Sequence, residues 1–248
     1  MRMDFTQNNT KEESYPKVSI IVPCYNEEKL VGPLLEQLIA VAQNKMNAYE
    51  IVVVNDGSTD STARILHAFQ EQEQLILINH STNLGKGASI KSALNRISGD
   101  IVIIQDADRE YDPTEIPDLI KPILENRADV VYGSRFLGGK PRRAIYFTHA
   151  VGNKVLTTIT NLLSGLNLTD METGFKAFKS SLIRDIDLKE NRFGIEPEIT
   201  MKLSKIKSIR FYELGISYYG RTFSEGKKIS WKDGIRALMC IIKYKFSK

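Results

Sequence analysis

Acidic residues follow an apolar run near the middle of the sequence. The run DIVIIQ at residues 100–105 is typical of a buried strand, and Asp106, Asp108 and Glu110 come directly after it. Ionised carboxylates so close together repel one another unless a cation lies among them, and oxygen ligands suit Mg²⁺ or Mn²⁺ better than zinc. We therefore predict that Asp106 and Asp108 bind a divalent metal ion, with Glu110 as a further ligand, directly or through water. The alternative is an acidic loop that caps the following helix, for which Asp112 alone would suffice.

Two other turns have residue types that suit a phosphorylated nucleoside. In VNDGSTDST, residues 54–62, the carboxylate of Asp56 could accept a hydrogen bond from a ring N–H of a base. In LGKGASI, residues 84–90, Gly85 and Lys86 begin a predicted helix, where backbone N–H groups could approach a phosphate. A tight turn with a helix cap explains the first segment equally well, and close packing of loops explains the second. The residues alone leave both interpretations open.

These turns must be positioned by the elements that they connect. Short β-branched runs alternate with amphipathic stretches, a pattern that predicts a mainly parallel sheet with helices on both faces. Strands are predicted at residues 18–22, 50–55, 75–79, 100–105, 129–133 and near 209–218. Helices are predicted at residues 27–44, 59–72, 85–97, 114–126 and 232–246, and residues 140–165 contain a further helical pattern after Arg142 and Arg143. In an open Rossmann-like α/β sheet, ligands bind beyond the carboxyl ends of the strands, where the acidic turns are found.

The charge of the chain is distributed unevenly over one predicted domain. We expect a flexible tail at residues 1–15 and a single domain at 16–248, since no linker or internal repeat marks a second one. The domain divides into an acidic half, 16–136, and a basic half, 137–248. Residues 1–136 contain 13 Lys and Arg against 20 Asp and Glu, whereas the remainder contains 21 against 10. A basic half suggests a partner with phosphate groups, although a solvated lysine-rich surface would give the same composition.

The basic half contains the two amphipathic helical stretches at residues 140–165 and 232–246. Arg142 and Arg143 precede the apolar positions of the first stretch. In the second, apolar residues are mixed with cations, namely Ile235, Leu238, Met239 and Ile242 with Lys232, Arg236, Lys243 and Lys245. Basic amphipathic helices can lie on an anionic membrane surface, and we expect such contact here. Packing on the core or on a partner subunit is the alternative.

The composition disfavours several functional classes. No apolar run is long enough to span a bilayer and the polar N-terminus lacks the apolar region of a signal peptide, so a cytoplasmic location is expected. Cys24 and Cys240 do not have the spacing of a zinc site or a disulfide framework. His67, His80 and His149 are scattered and form no recognisable nucleophile arrangement. No aromatic-rich motif for stacking bases accompanies the basic residues, so nucleic acid is not an expected partner.

Taken together, four motifs resemble the nucleotide-sugar domain of family 2 glycosyltransferases, which are inverting enzymes of the GT-A fold. The motifs are PCYNEE, NDGSTDST, DAD and GSRF, within a similarity that extends from about Val18 to about Ala237. Three further segments are similar to the polyprenyl-phosphate hexosyltransferases, typified by dolichol-phosphate mannose synthase. These segments are TDMETGFKAF (169–178), RFGIEPEIT (192–200) and GRTFSEGKKISWKDG (220–234).

The resemblance implies a role for each matching residue. The nucleotide-sugar donor would be bound by Pro23, Tyr25, Glu27, Asp56, Gly85, Lys86 and Asp106. Asp106 and Asp108 would hold a metal ion at the donor diphosphate, with Glu110 where related enzymes often have Gln. The phosphate groups of donor and acceptor would be bound by Arg135, by Arg142 or Arg143, and by Arg221. Asp108, Arg135 and Arg221 would thereby take part in catalysis.

The resemblance also implies a reaction, the transfer of mannose or glucose from GDP-mannose or UDP-glucose to dolichol or undecaprenyl phosphate. Peripheral attachment at the cytoplasmic membrane face, a separate membrane subunit and a homo-oligomer are all consistent with it. A phosphate acceptor is already ionised at neutral pH and needs no general base. One alternative is transfer to a saccharide hydroxyl, for which Asp170 or Glu172 would be the catalytic base. The other is a catalytically silent nucleotide-sugar-binding protein.

Overall fold

The structure, a computed structural model, describes residues 15–144, 146–226 and 231–247. The predicted N-terminal tail, residues 1–15, lies outside this part of the chain except for Tyr15. Within the described residues, no helix is both long and apolar enough to cross a bilayer.

The described residues form a seven-stranded sheet in the order β3-β2-β1-β4-β6-β5-β7. Its strands are β1 (Val18–Cys24), β2 (Tyr49–Asn55), β3 (Ile76–Asn79), β4 (Ile101–Ile104), β5 (Val130–Ser134), β6 (Lys176–Lys179) and β7 (Phe211–Gly215). Only β6 runs against its neighbours β4 and β5, while the other described pairs are parallel. The amino end of β6 therefore lies at the same edge as the carboxyl ends of the remaining strands.

Helices cover both faces of this sheet. They are α1 (Val31–Lys45), α2 (Thr62–Glu71), α3 (Lys86–Leu94), α4 (Ile116–Leu124), α5 (Phe147–Ser164), α6 (Ser180–Asp185), α7 (Ile195–Leu203) and α8 (Trp231–Phe246). All seven residues of β1 are buried, and successive residues point to opposite faces. Ile20 and Val22 pack in the cluster that includes α1 and α4, whereas Ile21 packs in the cluster that includes α3, α7 and α8. This burial of both faces explains why the strands are continuous apolar runs.

The predicted α/β class and the mainly parallel sheet are confirmed, but several boundaries differ. The helix predicted from residue 27 begins at Val31, and the helical pattern predicted after Arg143 is a helix from Phe147. The strand expected near 209–218 is limited to Phe211–Gly215. Strand β6 and helices α6 and α7 were not predicted at all.

Candidate functional site

The predicted site residues come together at one edge of the sheet. The loops after β1, β2, β4, β5 and β7 reach this edge, and so does the loop before β6, because that strand is reversed. The segments involved are residues 25–28, 56–61, 105–112, 135–144, 170–175 and 216–222. Topology thus brings the acidic turns of the first half against the arginines of the second.

Asp106 follows β4 and pairs with a lysine from another loop. The Lys86 Nζ lies 2.7 Å from Asp106 Oδ1 and 3.0 Å from Glu196 Oε1. Burial alone would lower the pKa of Lys86, but the charges of Asp106 and Glu196 raise it above its usual value, so the lysine is a cation here. A Cβ at Gly174 would lie 2.1 Å from Asp106 Oδ2, so only glycine at this position allows the loop before β6 to approach so closely.

Glu196 and Lys176 extend this ion pair into the interior, and neither was recognised from the sequence. The Lys176 ammonium contacts both Glu196 and the Thr173 carbonyl oxygen, and the Lys176 side chain is fully buried. Against the effect of burial, the two lysines hold the pKa of Glu196 below its usual range. The signal that could have identified Glu196 is the acidic EPE sequence at the start of α7, a helix in which every residue except Lys202 is buried. Lys176 thus holds Glu196, Glu196 holds Lys86, and Lys86 holds Asp106 from the interior of the protein.

Asp108 and Glu110 turn toward a different cation, Arg221. The Arg221 Nη2 lies 2.8 Å from Asp108 Oδ2, and its Nη1 lies 3.1 Å from Glu27 Oε2. The backbone N–H of Arg221 donates to Glu110 Oε1 at 2.9 Å, and the Tyr218 hydroxyl donates to Glu110 Oε2 at 2.7 Å. The guanidinium therefore lies among three carboxylates that the sequence assigned to the donor and metal ion.

The residues present fit a divalent cation. Burial raises the pKa of Asp108 to about 7, and the negative charges of Glu110 and Asp106 act in the same direction despite the opposing charge of Arg221. Carboxylates crowded in this way are stabilised by added positive charge, and oxygen donors suit Mg²⁺ or Mn²⁺. The described residues contain no group of three or more ligand side chains already arranged around one point. Metal binding by Asp106, Asp108 and Glu110 stays a prediction.

Arg135 is held by a single buried partner, Asp170. Its Nε and Nη2 donate to the two Asp170 oxygens at 2.7 and 2.8 Å, and its backbone N–H donates at 3.0 Å. The Asn153 Nδ2 donates to the same carboxylate at 2.9 Å. Although burial opposes it, the charge of Arg135 lowers the pKa of Asp170. Asp170 was considered as a catalytic base, but a fully buried carboxylate with a lowered pKa is a poor proton acceptor and instead orients Arg135.

Glu172 differs from its neighbour Asp170. Its Oε1 atom is buried and has no hydrogen-bond partner among the described residues. Burial raises the pKa of Glu172 to about 7, with the charge of Lys176 opposing the rise. Of the two candidate bases, only Glu172 has the raised pKa that general base catalysis near neutral pH requires.

Arg142 and Arg143 connect the other two arginines. The Arg142 Nη1 donates to the backbone oxygen of Arg135 at 3.2 Å. The Arg143 Nη1 donates to the Gly220 oxygen at 3.0 Å and lies 2.7 Å from a Glu225 oxygen. The four arginines predicted to bind phosphate, called the arginine row below, thus lie on segments that contact one another at this edge of the sheet. Their phosphate-binding role stays a prediction.

Asp56 faces the protein interior. It is 3% exposed, and it accepts hydrogen bonds from the backbone N–H groups of Leu84 at 2.9 Å and Gly85 at 2.7 Å. The His80 Nδ1 lies 2.7 Å from its Oδ1 atom, a partnership that the sequence did not reveal. Gly85 has φ of 104°, and a Cβ there would lie 2.4 Å from the Asn191 oxygen. The glycine turn is therefore packed closely against another loop, and contact of Asp56 or Lys86 with a nucleotide stays a prediction.

The remaining residues that were predicted to bind the donor lie at the end of β1 and in the loop that follows it. Pro23 is buried within the strand and Tyr25 is half-buried beyond it. The Asn26 backbone N–H donates to Ser58 Oγ at 3.0 Å, which fastens this loop to the turn after β2. The Glu27 backbone N–H donates to Thr62 Oγ1 at 2.9 Å, while the Glu27 carboxylate reaches Arg221. The predicted nucleoside residues thus line adjoining turns.

Comparison of the sequence with known proteins identifies the family of this chain. The model of the family "Glycosyl transferase family 2" matches residues 19–187, more than half of the chain. The UDP-N-acetylglucosamine–dolichyl-phosphate N-acetylglucosaminyltransferase of Methanococcus voltae is 32% identical over 183 residues, which are 67% of this chain and 71% of that protein. The dolichol-phosphate mannosyltransferase of Pyrococcus furiosus is 29% identical over 219 residues, 86% of this chain, and the chain spans 60% of that protein.

A solved structure establishes the fold more directly. Glucosyl-3-phosphoglycerate synthase from Mycobacterium tuberculosis, solved with Mn²⁺, UDP and phosphoglyceric acid, aligns with a TM-score of 0.69. The alignment covers 93% of this chain and 79% of that chain at 17% identity, which is a similarity of fold. The GT-A type of α/β fold predicted from the sequence is thus confirmed. From its family match and its fold, the chain belongs to glycosyl transferase family 2 and is a glycosyltransferase.

Proposed function

We propose that this enzyme is a metal-dependent, inverting hexosyltransferase that transfers mannose or glucose from a GDP- or UDP-sugar to a polyprenyl phosphate. The observation that supports this most strongly is the contact between Asp108, which follows β4, and Arg221 of the arginine row, next to the pair formed by Asp106 and Lys86. Similarity to enzymes named for dolichyl-phosphate acceptors points in the same direction.

On the donor side, the carboxylates of Asp106 and Asp108 would hold Mg²⁺ or Mn²⁺. When bound, such an ion neutralises the negative charge that grows on a departing diphosphate. Lys86, itself held by Glu196, keeps the Asp106 carboxylate at the edge of the sheet where the cation would bind. Pro23 lies near the end of β1, and Tyr25 and Asp56 lie on the turns after β1 and β2, where the nucleoside would bind.

On the acceptor side, the arginine row would bind and orient a phosphate. A phosphomonoester is largely ionised at neutral pH and can attack without a general base, so positioning and electrostatic stabilisation would determine the rate. Arginine suits this task because its planar guanidinium donates parallel hydrogen bonds to phosphate oxygens. Asp170 fixes Arg135 in the required orientation, which leaves that carboxylate unavailable as a base.

A polyprenyl phosphate would reach the arginine row from a membrane surface bound by helices α5 and α8. Helices α5 and α8 pack against each other, and each exposes a stripe of large apolar side chains. The stripes are Phe147, Val151, Val155 and Leu162 on α5 and Ile235, Met239, Ile242 and Phe246 on α8. Exposed cations surround them, namely Lys154, Lys232, Arg236, Lys243 and Lys245. The opposite side of α8 is buried, with Cys240, Ile241 and Tyr244 in the core, so core packing leaves the exposed side of the helix available for the proposed membrane contact.

This arrangement supports peripheral attachment to the cytoplasmic face of a membrane. Basic amphipathic helices bind anionic lipid surfaces through buried apolar groups and through electrostatic attraction. A separate membrane subunit or a second copy of the chain is another occupant of the same apolar stripes. We propose that residues 16–248 form one functional domain. In this domain, residues 16–136 would bind the donor and residues 137–248 would bind the acceptor.

A second candidate function is transfer to a saccharide hydroxyl. The raised pKa and unpaired oxygen of Glu172 favour it, because a hydroxyl acceptor needs a base and a phosphate does not. Replacement of Glu172 by Gln would abolish transfer to a hydroxyl but have only a mild effect on transfer to lipid phosphate. The silent binding protein has no observation in its favour, because the chain belongs to an enzyme family.

The experiment is a transfer assay with purified protein and Mn²⁺. GDP-mannose, UDP-glucose and UDP-N-acetylglucosamine are each offered with dolichol phosphate, undecaprenyl phosphate or an oligosaccharide, and products are identified by mass spectrometry. A hexosyl lipid phosphate supports the proposal. A product on the saccharide alone would reject the acceptor that we propose and support the second candidate.

A further inference from the structure

Arg221 occupies the acidic cluster at which the metal ion is expected. Its guanidinium lies 2.8 Å from Asp108 Oδ2, 3.1 Å from Glu27 Oε2 and 3.4 Å from Glu110 Oε1. Only 13% of its side chain is exposed, so these contacts are shielded from solvent. The guanidinium thus supplies positive charge to a cluster of three carboxylates.

Both carboxylate oxygens of Asp108 are already engaged by the protein. Oδ2 accepts from Arg221, and Oδ1 accepts from the Glu110 backbone N–H at 3.1 Å. A divalent ion bound to Asp108 would compete for the same oxygens and would repel the neighbouring guanidinium. Metal binding and the observed position of the Arg221 side chain therefore oppose each other.

Lys86 does not compete in the same way. It lies between Asp106 and Glu196, and Glu196 remains as its partner if Asp106 turns to a metal ion. Arg221 has no such interior partner, because Glu27, Asp108 and Glu110 all belong to the donor side of the site. Both cations would lose a contact to the metal ion, but Lys86 keeps a partner outside the donor side and Arg221 does not.

We propose that Arg221 is a positioning residue that competes with the divalent metal ion for Asp108, so that the ion binds tightly only when a nucleoside diphosphate offers the guanidinium another partner. The inference rests on the proposed metal-dependent function and adds an order of binding to it. It makes metal and nucleotide binding mutually reinforcing, since each removes an obstacle for the other.

The backbone around Arg221 can stay in place during this exchange. The Arg221 backbone N–H is bound to Glu110 Oε1 at 2.9 Å, and the Tyr219 N–H is bound to the Glu110 carbonyl oxygen at 2.9 Å. These bonds do not involve the guanidinium. Rotation about the side-chain bonds of one arginine is sufficient, and the guanidinium remains at the edge of the sheet, where the diphosphate is expected.

Binding of Mn²⁺ measured by electron paramagnetic resonance tests the inference without relying on turnover. Wild-type protein and Arg221→Gln are titrated with Mn²⁺ alone and with Mn²⁺ plus UDP or GDP. Loss of a competing charge-assisted hydrogen bond should tighten nucleotide-free binding by about tenfold. The nucleotide should strengthen Mn²⁺ binding strongly in the wild type and only weakly in the variant.

Two further variants separate competition from a general effect of charge or structure. Arg127→Gln removes an exposed arginine that pairs with Glu125 and should leave Mn²⁺ affinity unchanged. Arg221→Lys retains the positive charge and should return the affinity most of the way to the wild-type value. A variant that destabilised the site would weaken Mn²⁺ binding, which is the opposite of the expected change.

The outcomes distinguish this inference from the proposed function. If the wild type binds Mn²⁺ with nucleotide but Arg221→Gln has the same or a weaker nucleotide-free affinity, competition by Arg221 is rejected and the metal-dependent function stands. If no variant binds Mn²⁺ even with UDP or GDP, the metal-dependent function is rejected and the inference with it.

Discussion

Arg135 and Arg221 lie at the same edge of the sheet with 13% of each side chain exposed, yet their surroundings differ. Arg135 has one dedicated carboxylate, Asp170, which is fully buried and further bound by Asn153 of α5. Arg221 shares three carboxylates, Glu27, Asp108 and Glu110. Two arginines of the same charge thus have a fixed and an exchangeable environment.

The difference matches the two sides of the proposed reaction. Although Arg135 lies just before the boundary at residue 137, it is linked through Asp170 to Asn153 of α5, whose exposed apolar stripe begins at Phe147, so we assign it to the proposed acceptor side. The exchangeable Arg221 contacts the donor carboxylates. A guanidinium held by a buried partner offers a preorganised phosphate site, whereas one in a shared cluster can respond to a metal ion. The following predictions test this contrast, from the largest expected effect to the smallest.

The largest effect is expected from the exchangeable cluster. Asp108→Asn removes the negative charge through which the metal ion would be held, and turnover should fall by about a thousandfold or more. Initial rates of lipid-phosphate glycosylation at saturating donor measure this change. Asp118→Asn, which alters an exposed aspartate near Lys140, is the matched control and should retain normal rates. Wild-type turnover in Asp108→Asn would remove this residue from the reaction.

The fixed pair should contribute mainly to stability. Asp170→Asn leaves the buried Arg135 without a carboxylate, and the free energy of unfolding should fall by about 3 kcal/mol. Urea denaturation followed by circular dichroism measures it. Glu225→Gln breaks the exposed pair with Arg143 and should leave the free energy of unfolding nearly unchanged, because solvent screens exposed ion pairs. Equal losses in the two variants would contradict the distinction between a fixed and an exposed arginine.

The acceptor side should lose membrane affinity when its apolar stripes are made polar. Phe147→Ser or Phe246→Ser removes a large exposed side chain, and binding to vesicles containing phosphatidylglycerol should weaken by about tenfold. Co-sedimentation measures the binding, which should also weaken at high salt. Leu124→Ser on α4 also removes an exposed apolar side chain and should have no effect. Unchanged binding in both phenylalanine variants would argue that the stripes contact a protein partner.

The smallest effect concerns Glu172, beside the fixed pair. Its folded-state pKa of about 7 lies above the usual 4.5, so the folded state binds the extra proton and loses stability as pH rises from about 4.5 to about 7. Between pH 6 and pH 8 the stability of Glu172→Gln relative to the wild type should therefore rise by about 1 kcal/mol. Denaturation at both pH values measures this difference. Glu71→Gln on the surface controls for loss of one charge, and a pH-independent difference in Glu172→Gln would refute the raised pKa.

The sequence predicted the sheet edge because parallel strands place all their carboxyl ends together. Asp106, Asp108 and the GSRF arginine could be assigned to that edge from their position after apolar runs. Strand β6 escaped prediction because KAFK is only four residues long and includes a lysine, Lys176, that is fully buried. Its burial depends on Glu196, which comes from a helix twenty residues later.

The partners of the site residues were the least predictable part. Asp170 was considered as a base because its local sequence does not reveal that Arg135, 35 residues earlier, binds both of its oxygens. Arg221 and Asp108 are 113 residues apart, and their contact depends on the alignment of β4 with β7 through two intervening strands. Residue types indicate which chemistry is available, whereas the pairing of charges depends on the tertiary fold.

The most direct test of the central claim is the dependence of lipid-phosphate glycosylation on a divalent ion held by Asp106 and Asp108. Mass spectrometry of the product made by metal-stripped enzyme, with and without added Mn²⁺, measures it, with Asp106→Asn assayed in parallel. We predict a hexosyl lipid phosphate only for the wild type and only with Mn²⁺. Undiminished product from the metal-stripped enzyme, or from Asp106→Asn, would contradict the account.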